Sequence, residues 1–67
     1  MPMTAKQFRT ARARLGLTQQ ALAGRLGVHV QTVKKWSSGD RRIPQPVAIL
    51  VRLWLTADHQ SATRRLS

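Results

Sequence analysis

The sequence contains no cysteine among its 67 residues. Neither disulfide bonds nor thiolate metal sites are therefore available to reinforce the folded chain. A chain of this length buries roughly 60% of the surface that its unfolded form exposes, so we expect one domain with a thin core. Oligomerisation is the remaining simple source of buried apolar area.

Long apolar runs are also missing. No stretch approaches the roughly 20 residues that a membrane-spanning helix needs, and the N-terminus lacks the apolar segment of a signal peptide. We therefore predict that the protein acts in the cytoplasm, as a cellular or a viral protein, and that it has no membrane partner.

Acidic residues are scarce. Asp and Glu together number 2 against 12 Lys and Arg, which gives a formal net charge of +10. An excess of this size favours a polyanionic partner. Charge alone leaves nucleic acid, acidic lipid and acidic protein as possible partners.

Side chains that could perform catalysis or bind a metal are too few to form a site. The Asp and His residues, with scattered Ser and Thr, do not supply a nucleophile, a base and an orienting group. His29 and His59 are far apart and have no third ligand in a metal-binding pattern. Trp36 and Trp54 suit either a stacking platform for single-stranded nucleic acid or a place in a core or an interface, and their helical spacing favours the core or interface. We predict no enzyme, no cofactor, no metal and no small-molecule substrate.

Capping signals predict three short helices in the first part of the chain. Thr4 and Gln7 form a capping-box pattern, and Thr18 suits the N-cap of a second helix. Each helix start has two apolar residues in the positions of a hydrophobic staple, and each helix is followed by a glycine that suits a left-handed end. The staple pairs are Met3 with Phe8, Leu17 with Leu22 and Val28 with Val33, and the glycines are Gly16, Gly27 and Gly39.

The first helix has an apolar face and a basic face. Phe8, Ala11 and Leu15 share the side that we expect to be buried. The other side carries basic residues to which we assign no individual role, namely Lys6, Arg9, Arg12 and Arg14.

The second and third helices have the pattern of a helix-turn-helix. Leu22 and Leu26 lie four residues apart on one helix face, and Gly27 follows. Val33 and Trp36 then share the inward face of the next helix. The second helix of such a motif can lie in the major groove of DNA.

These residues resemble the Cro and lambda-repressor type of helix-turn-helix domain over about residues 4 to 57. Two positions depart from that family: Ser37 stands where Glu is frequent, and His29 is a poorer N-cap than the usual Ser or Thr. The resemblance implies an all-α, compact four- to five-helix DNA-binding domain over residues 4–57. We predict that residues 58–67 form a disordered or frayed basic tail. The matching positions are Leu17, Thr18, Gln19, Gln20, Leu22, Ala23, Leu26, Gly27, Val28, Thr32, Val33, Trp36 and Gly39, with flanking matches at Phe8, Arg9, Ala13, Arg14, Leu15, Gly16, Arg42, Ile43, Pro44 and Pro46.

The resemblance also implies a set of DNA-contacting residues. On an isolated helix the outward residues would simply form a solvated face, but within this motif base contact is favoured. Gln reads adenine, Lys donates to guanine, and a valine suits a thymine methyl group. Family counterparts hold the DNA backbone at two positions, and two arginines lie just past the recognition helix. The predicted base contacts are Val30, Gln31, Lys34 and Lys35, and the predicted phosphate contacts are Gln19, Ser38, Arg41 and Arg42.

A fourth helix is predicted from Pro46, and its apolar arc is wider than a small monomer needs. We expect Ile49 and Leu53 to face a second copy of the chain, although Leu55 on the opposite flank would serve equally well. A homodimer would read a palindromic operator. The residues expected to face the domain's own core are Val47, Leu50, Val51 and Trp54.

These features predict a sequence-specific regulator of transcription that binds double-stranded DNA, with a repressor of its own operon as the simplest case. The resembled family includes phage and other mobile-element regulators, antitoxins, and controllers of restriction and anti-CRISPR operons, among which the sequence does not choose. Two alternatives stay open: an antitoxin-like adaptor that binds a protein partner, and a cationic protein that binds RNA or membranes without specificity.

Overall fold

The structure, a computed structural model, describes the backbone of residues 2–66 and the side chains of residues 2–57. Within the described residues the chain is all-α, as predicted, and contains no strand. The helices are α1 (Ala5–Leu15), α2 (Gln19–Leu26), α3 (Val30–Ser38) and α4 (Gln45–Leu66). None of them, over these residues, combines the length and the apolarity that a bilayer crossing requires.

The predicted capping residues begin α1 and α2. The Thr4 hydroxyl accepts the Gln7 N–H at 3.1 Å, and Gln7 Oε1 accepts the Thr4 N–H at 2.9 Å, which completes the capping box. Thr18 Oγ1 accepts the Ala21 N–H at 3.0 Å. His29 stands at the N-cap of α3 without any side-chain capping hydrogen bond, in agreement with its poor capping ability.

The predicted glycines end the first three helices. Gly16, Gly27 and Gly39 have φ angles of 69°, 74° and 85°. Residues with a Cβ rarely adopt this left-handed conformation, so these ends depend on glycine.

The core lies where α1, α2 and α3 meet, and α4 covers its open side. Phe8, Leu22, Val33 and Val51 are fully buried. The Phe8 and Trp36 rings pack edge to face, with centroids 5.9 Å apart and planes at 81°, an arrangement that aromatic pairs favour. One residue from each helix therefore fills the centre of the core.

The predicted orientation of α4 is partly wrong. Leu50 was expected to face the core, but it is 42% exposed, and Ala48 is fully buried instead. Ala48 and Val51 are three residues apart on one face, whereas Leu50 is roughly 200° around the helix from Ala48. Leu55 is half-buried against the core, so it does not form a free flank for a partner.

α4 is also longer than predicted. It begins at Gln45, one residue before Pro46, and its backbone continues to Leu66, where the sequence predicted a frayed tail from Asp58. No Gly or Pro interrupts residues 46–66 after Pro46 itself, so no residue of that stretch is a strong helix breaker. The prediction of a disordered or frayed tail from Asp58 is therefore wrong for the backbone up to Leu66. The side chains from Asp58 onwards lie outside the part of the chain that the structure describes.

Candidate nucleic-acid interface

The turn between α2 and α3 sets how these two helices cross. The Val28 N–H donates to the Ala23 carbonyl oxygen at 3.0 Å, across the left-handed Gly27. Ala23 is buried where α2 packs against α3, and its small side chain allows the two helices to approach closely. The short turn and this close packing hold α3 in one orientation on the surface.

The outer face of α3 is polar and open. Val33, Trp36 and Ser37 are buried on the inner side, and the Ser37 hydroxyl donates to the Val33 carbonyl oxygen at 2.9 Å. Of the four predicted base contacts, Gln31, Lys34 and Lys35 are exposed on the outer side. Val30 is half-buried and packs against the core, so only part of its side chain is available to a ligand.

The loop after α3 places two arginines beside that face. The Arg41 N–H donates to the Lys35 carbonyl oxygen at 3.3 Å, and buried Ile43 anchors the loop on the core. Arg41 and Arg42 are exposed, as is Ser38, whose hydroxyl donates to the Lys35 carbonyl oxygen at 3.1 Å. Three of the four predicted phosphate contacts therefore lie at the C-terminal end of α3.

The fourth predicted phosphate contact, Gln19, is the first residue of α2 and is half-buried. Thr18 caps the Ala21 N–H, while the N–H groups of Gln19 and Gln20 have no acceptor within their own helix. Such N–H groups, at the positive end of the helix dipole, attract phosphate. The N–H groups at the start of α2 therefore join the Gln19 side chain as candidate phosphate contacts.

Two arginines that the sequence left without a role hold α1 in place. Arg9 Nη1 donates to the Ser37 carbonyl oxygen at the end of α3. Arg12 Nη1 donates to the Leu17 carbonyl oxygen at 2.9 Å, next to the start of α2. Backbone carbonyl groups carry no sequence pattern, so the sequence offered no sign of these bonds. The Arg9 hydrogen bond therefore holds the C-terminal end of α3 against α1.

The charged side chains of the described residues are almost all basic. Asp40 is the single carboxylate among the side chains of residues 2–57. The same residues contain no cluster of His and Asp that could hold a metal ion. A positive surface with an open polar helix is suited to a polyanionic ligand.

A sequence model of the helix-turn-helix family matches residues 8–51, which make up 44 of the 67 residues. The match begins within α1, covers α2 and α3 completely and ends at Val51 of α4, and it therefore includes all eight predicted DNA contacts. No curated protein and no solved structure shows a significant similarity to the chain. The family consists of DNA-binding regulators that are generally not enzymes. The chain therefore belongs to the Cro/C1-type helix-turn-helix family and is a DNA-binding regulator of transcription.

Proposed function

We propose that the protein is a repressor that binds a specific double-stranded operator with α3 in the major groove. The observation that carries this proposal is the outer face of α3, where Gln31, Lys34 and Lys35 are exposed directly opposite buried Val33 and Trp36. A helix held rigidly by its inner face presents its outer side chains in one fixed register, and that register is needed to read base edges.

The exposed side chains of α3 have the chemistry of base recognition. Gln31 has an amide that can pair with both the N6 and the N7 positions of adenine, and Lys34 and Lys35 can donate to guanine. Val30 is the first residue of α3, and the part of its side chain that the core leaves exposed suits contact with a thymine methyl group. We propose these four residues as the readers of the operator.

Predicted phosphate contacts at both ends of the motif support this docking. Gln19 and the free N–H groups of α2 lie at one end, and Ser38, Arg41 and Arg42 lie at the other. Contacts on two sides of a groove orient a recognition helix without reading sequence. We propose that these residues hold the DNA backbone while α3 reads the bases.

A homodimer completes the proposal, because one recognition helix reads only a few base pairs. Ile49, Leu50 and Leu53 are 47%, 42% and 58% exposed and lie together on one side of α4. Leu50 thus joins the two predicted interface residues, Ile49 and Leu53. Burying this apolar face against a second copy would relate two recognition helices by a two-fold axis and match a palindromic operator. The same face would suit a different protein if the chain proved monomeric, which is the adaptor alternative.

Repression follows from occupancy of the operator alone, because a protein bound over a promoter blocks polymerase there. Its own operon is the simplest target, and the cytoplasm remains our prediction for where it acts. Footprinting of the DNA upstream of its own gene, with transcription from that DNA in vitro, tests the proposal. We expect a protected palindrome that overlaps the promoter and a transcript that declines as the site fills. Protection without any loss of transcript, or no protected site, would contradict autorepression.

A further inference from the structure

We propose that a groove between α1 and α4 is a docking site for an acidic segment of another protein, which inserts one apolar side chain. The groove has a volume of about 220 Å³. It is separate from the proposed DNA-binding face and from the exposed apolar face of α4. Its lining residues are Met3, Gln7, Ala11, Arg14, Arg52 and Leu55.

The groove has an apolar floor and a cationic rim. Met3 and Ala11 are buried and Leu55 is half-buried against the core, so the floor is apolar and Leu55 supplies part of the surface that a ligand can reach. Arg14 and Arg52 line the groove from opposite helices, and both are exposed. Arginine binds carboxylate through two parallel hydrogen bonds, whereas the floor favours an apolar group.

The polar groups of the groove are almost all hydrogen-bond donors. Gln7 Oε1 already accepts the Thr4 N–H in the capping box, which leaves the amide NH₂ of Gln7 as the group available to a ligand. Arg14 and Arg52 have only donors, and no carboxylate lines the groove. A matching ligand must therefore bring acceptors, and carboxylates are the acceptors that also neutralise the two guanidinium groups.

The position of the groove argues against DNA as its ligand. α1 turns Arg9 towards α3, where it bonds the Ser37 carbonyl oxygen, and Arg14 is roughly 140° further around the same helix. Ala5 also faces α3, because a Cβ built on Gly39 would lie 3.8 Å from the Ala5 Cβ. DNA bound to α3 therefore leaves the far side of α1 open, and phosphates would bring nothing apolar to fill the floor.

Size and charge select a protein segment among the remaining ligands. Pockets that enclose a drug-sized molecule measure about 300–1,000 Å³, so this smaller groove holds only one apolar side chain well. A second copy of the chain brings few carboxylates to pair with Arg14 and Arg52, since Asp and Glu number 2 against 12 Lys and Arg. An acidic segment that lies across the rim would instead be steered towards this surface.

Binding of labelled peptides to the full chain tests the proposal. The probe has a central phenylalanine flanked by glutamates, and its two controls replace either the glutamates by glutamine or the phenylalanine by alanine. The groove variant is Arg14→Gln with Arg52→Gln. A variant of equal charge, Lys6→Gln with Arg42→Gln, removes cations elsewhere. Affinity is measured by fluorescence anisotropy, and the bound position by NMR signals of the Met3 and Leu55 methyl groups.

We expect saturable binding that shifts both methyl signals. Affinity should fall about tenfold or more for either control peptide and for the groove variant. The glutamine peptide and the groove variant each lose charge-assisted hydrogen bonds, and the alanine peptide loses the apolar side chain that fills the floor. The equal-charge variant should keep most of the affinity, and the groove variant should unfold at the wild-type temperature and bind duplex DNA as the wild type does.

Four results would overturn the proposal. The absence of saturable binding is the first, and an equal loss of affinity in both protein variants, which would indicate general charge attraction, is the second. The third is an experiment in which decanoate shifts the same methyl signals and binds as tightly as the peptide. That result would show that the groove binds small carboxylates. The fourth is weakened DNA binding by the groove variant, which would make Arg14 and Arg52 phosphate contacts.

Discussion

The hydrogen bonds of Arg9 and Arg12 reflect the shortage of Asp and Glu in this chain. In a chain with a carboxylate near each arginine, their guanidinium groups would form ion pairs. Here they donate instead to the carbonyl oxygens of Ser37 and Leu17. Hydrogen bonds from charged donors are stronger than neutral ones, so these bonds stabilise the fold while the positive charge stays available to attract DNA.

The base-reading assignment leads to a prediction for single side chains. Gln31→Ala or Lys35→Ala should each reduce the preference for operator over random duplex by about 1–3 kcal/mol, because each removes one base contact. Anisotropy titrations with both duplexes measure that ratio. Lys6→Ala is the matched control: it removes an exposed cation from α1, so it should leave the ratio unchanged. If both α3 variants kept the wild-type ratio, the readers would lie elsewhere.

How much of the site was predictable differs from residue to residue. Gln31, Lys34 and Lys35 were placed outward because Val33 and Trp36 fixed the inward face, and the structure confirms that they are exposed. The partial burial of Val30 was not predictable, since it depends on how closely α3 sits on the core. Contacts with DNA itself remain predictions for all eight residues.

At the scale of helices, the start of α3 is the weakest boundary. His29 occupies the N-cap position but makes no side-chain capping bond. His29→Ser should stabilise the fold by about 1 kcal/mol, since a hydroxyl would accept an N–H of the first turn. For a domain of this size that gain raises the unfolding midpoint by about 4–8 °C. Thermal unfolding followed by circular dichroism measures the change.

Two further variants calibrate that measurement. His29→Ala should leave the midpoint nearly unchanged, because no side-chain capping bond is lost. Thr18→Ala should lower it by about as much as His29→Ser raises it, because Thr18 caps α2. A midpoint that did not rise in His29→Ser, alongside a fall in Thr18→Ala, would show that α3 does not lack a cap.

The loop after α3 has a prediction of its own. Arg41→Gln with Arg42→Gln should weaken binding to operator and random duplex nearly alike, since phosphates carry no sequence information. The slope of log affinity against log salt should become shallower by up to about two units, roughly 0.9 for each lost phosphate contact. Titrations at several salt concentrations measure it. Lys6→Gln with Arg14→Gln removes equal charge from α1 and should change the slope less. Equal slopes in the two variants would show that Arg41 and Arg42 do not contact phosphate.

The helices were predictable where capping and burial agree in the sequence. Thr4, Gln7 and Thr18, with three glycines, marked the ends of α1 and α2 and the C-terminal end of α3 correctly. In α4 the apolar residues cover most of the circumference, so no polar stripe fixed its rotation. Small Ala48 gave no sign that it, rather than Leu50, would be buried.

At the scale of the whole molecule, the exposed apolar face of α4 predicts a dimer. Leu53→Glu would bury a carboxylate in that interface, so it should give a folded monomer with weak operator affinity. Ala13→Glu adds the same charge at an exposed position of α1 and should remain dimeric. Sedimentation at about tens of micromolar protein compares the two with the wild type. A wild type that sediments as a monomer, and binds one copy per site, would leave this face to another partner.

The proposal that α3 reads duplex sequence is tested most directly by selection from a random pool of double-stranded DNA. Duplexes that bind the wild-type protein are recovered, amplified and sequenced after several rounds of selection. A parallel selection uses the Gln31→Ala variant. We predict that the wild type enriches one palindrome, with half-sites about one helical turn apart. The variant should lose the preference at a single position of each half-site. Retention without any enriched sequence would contradict the account, because it would show binding through charge alone.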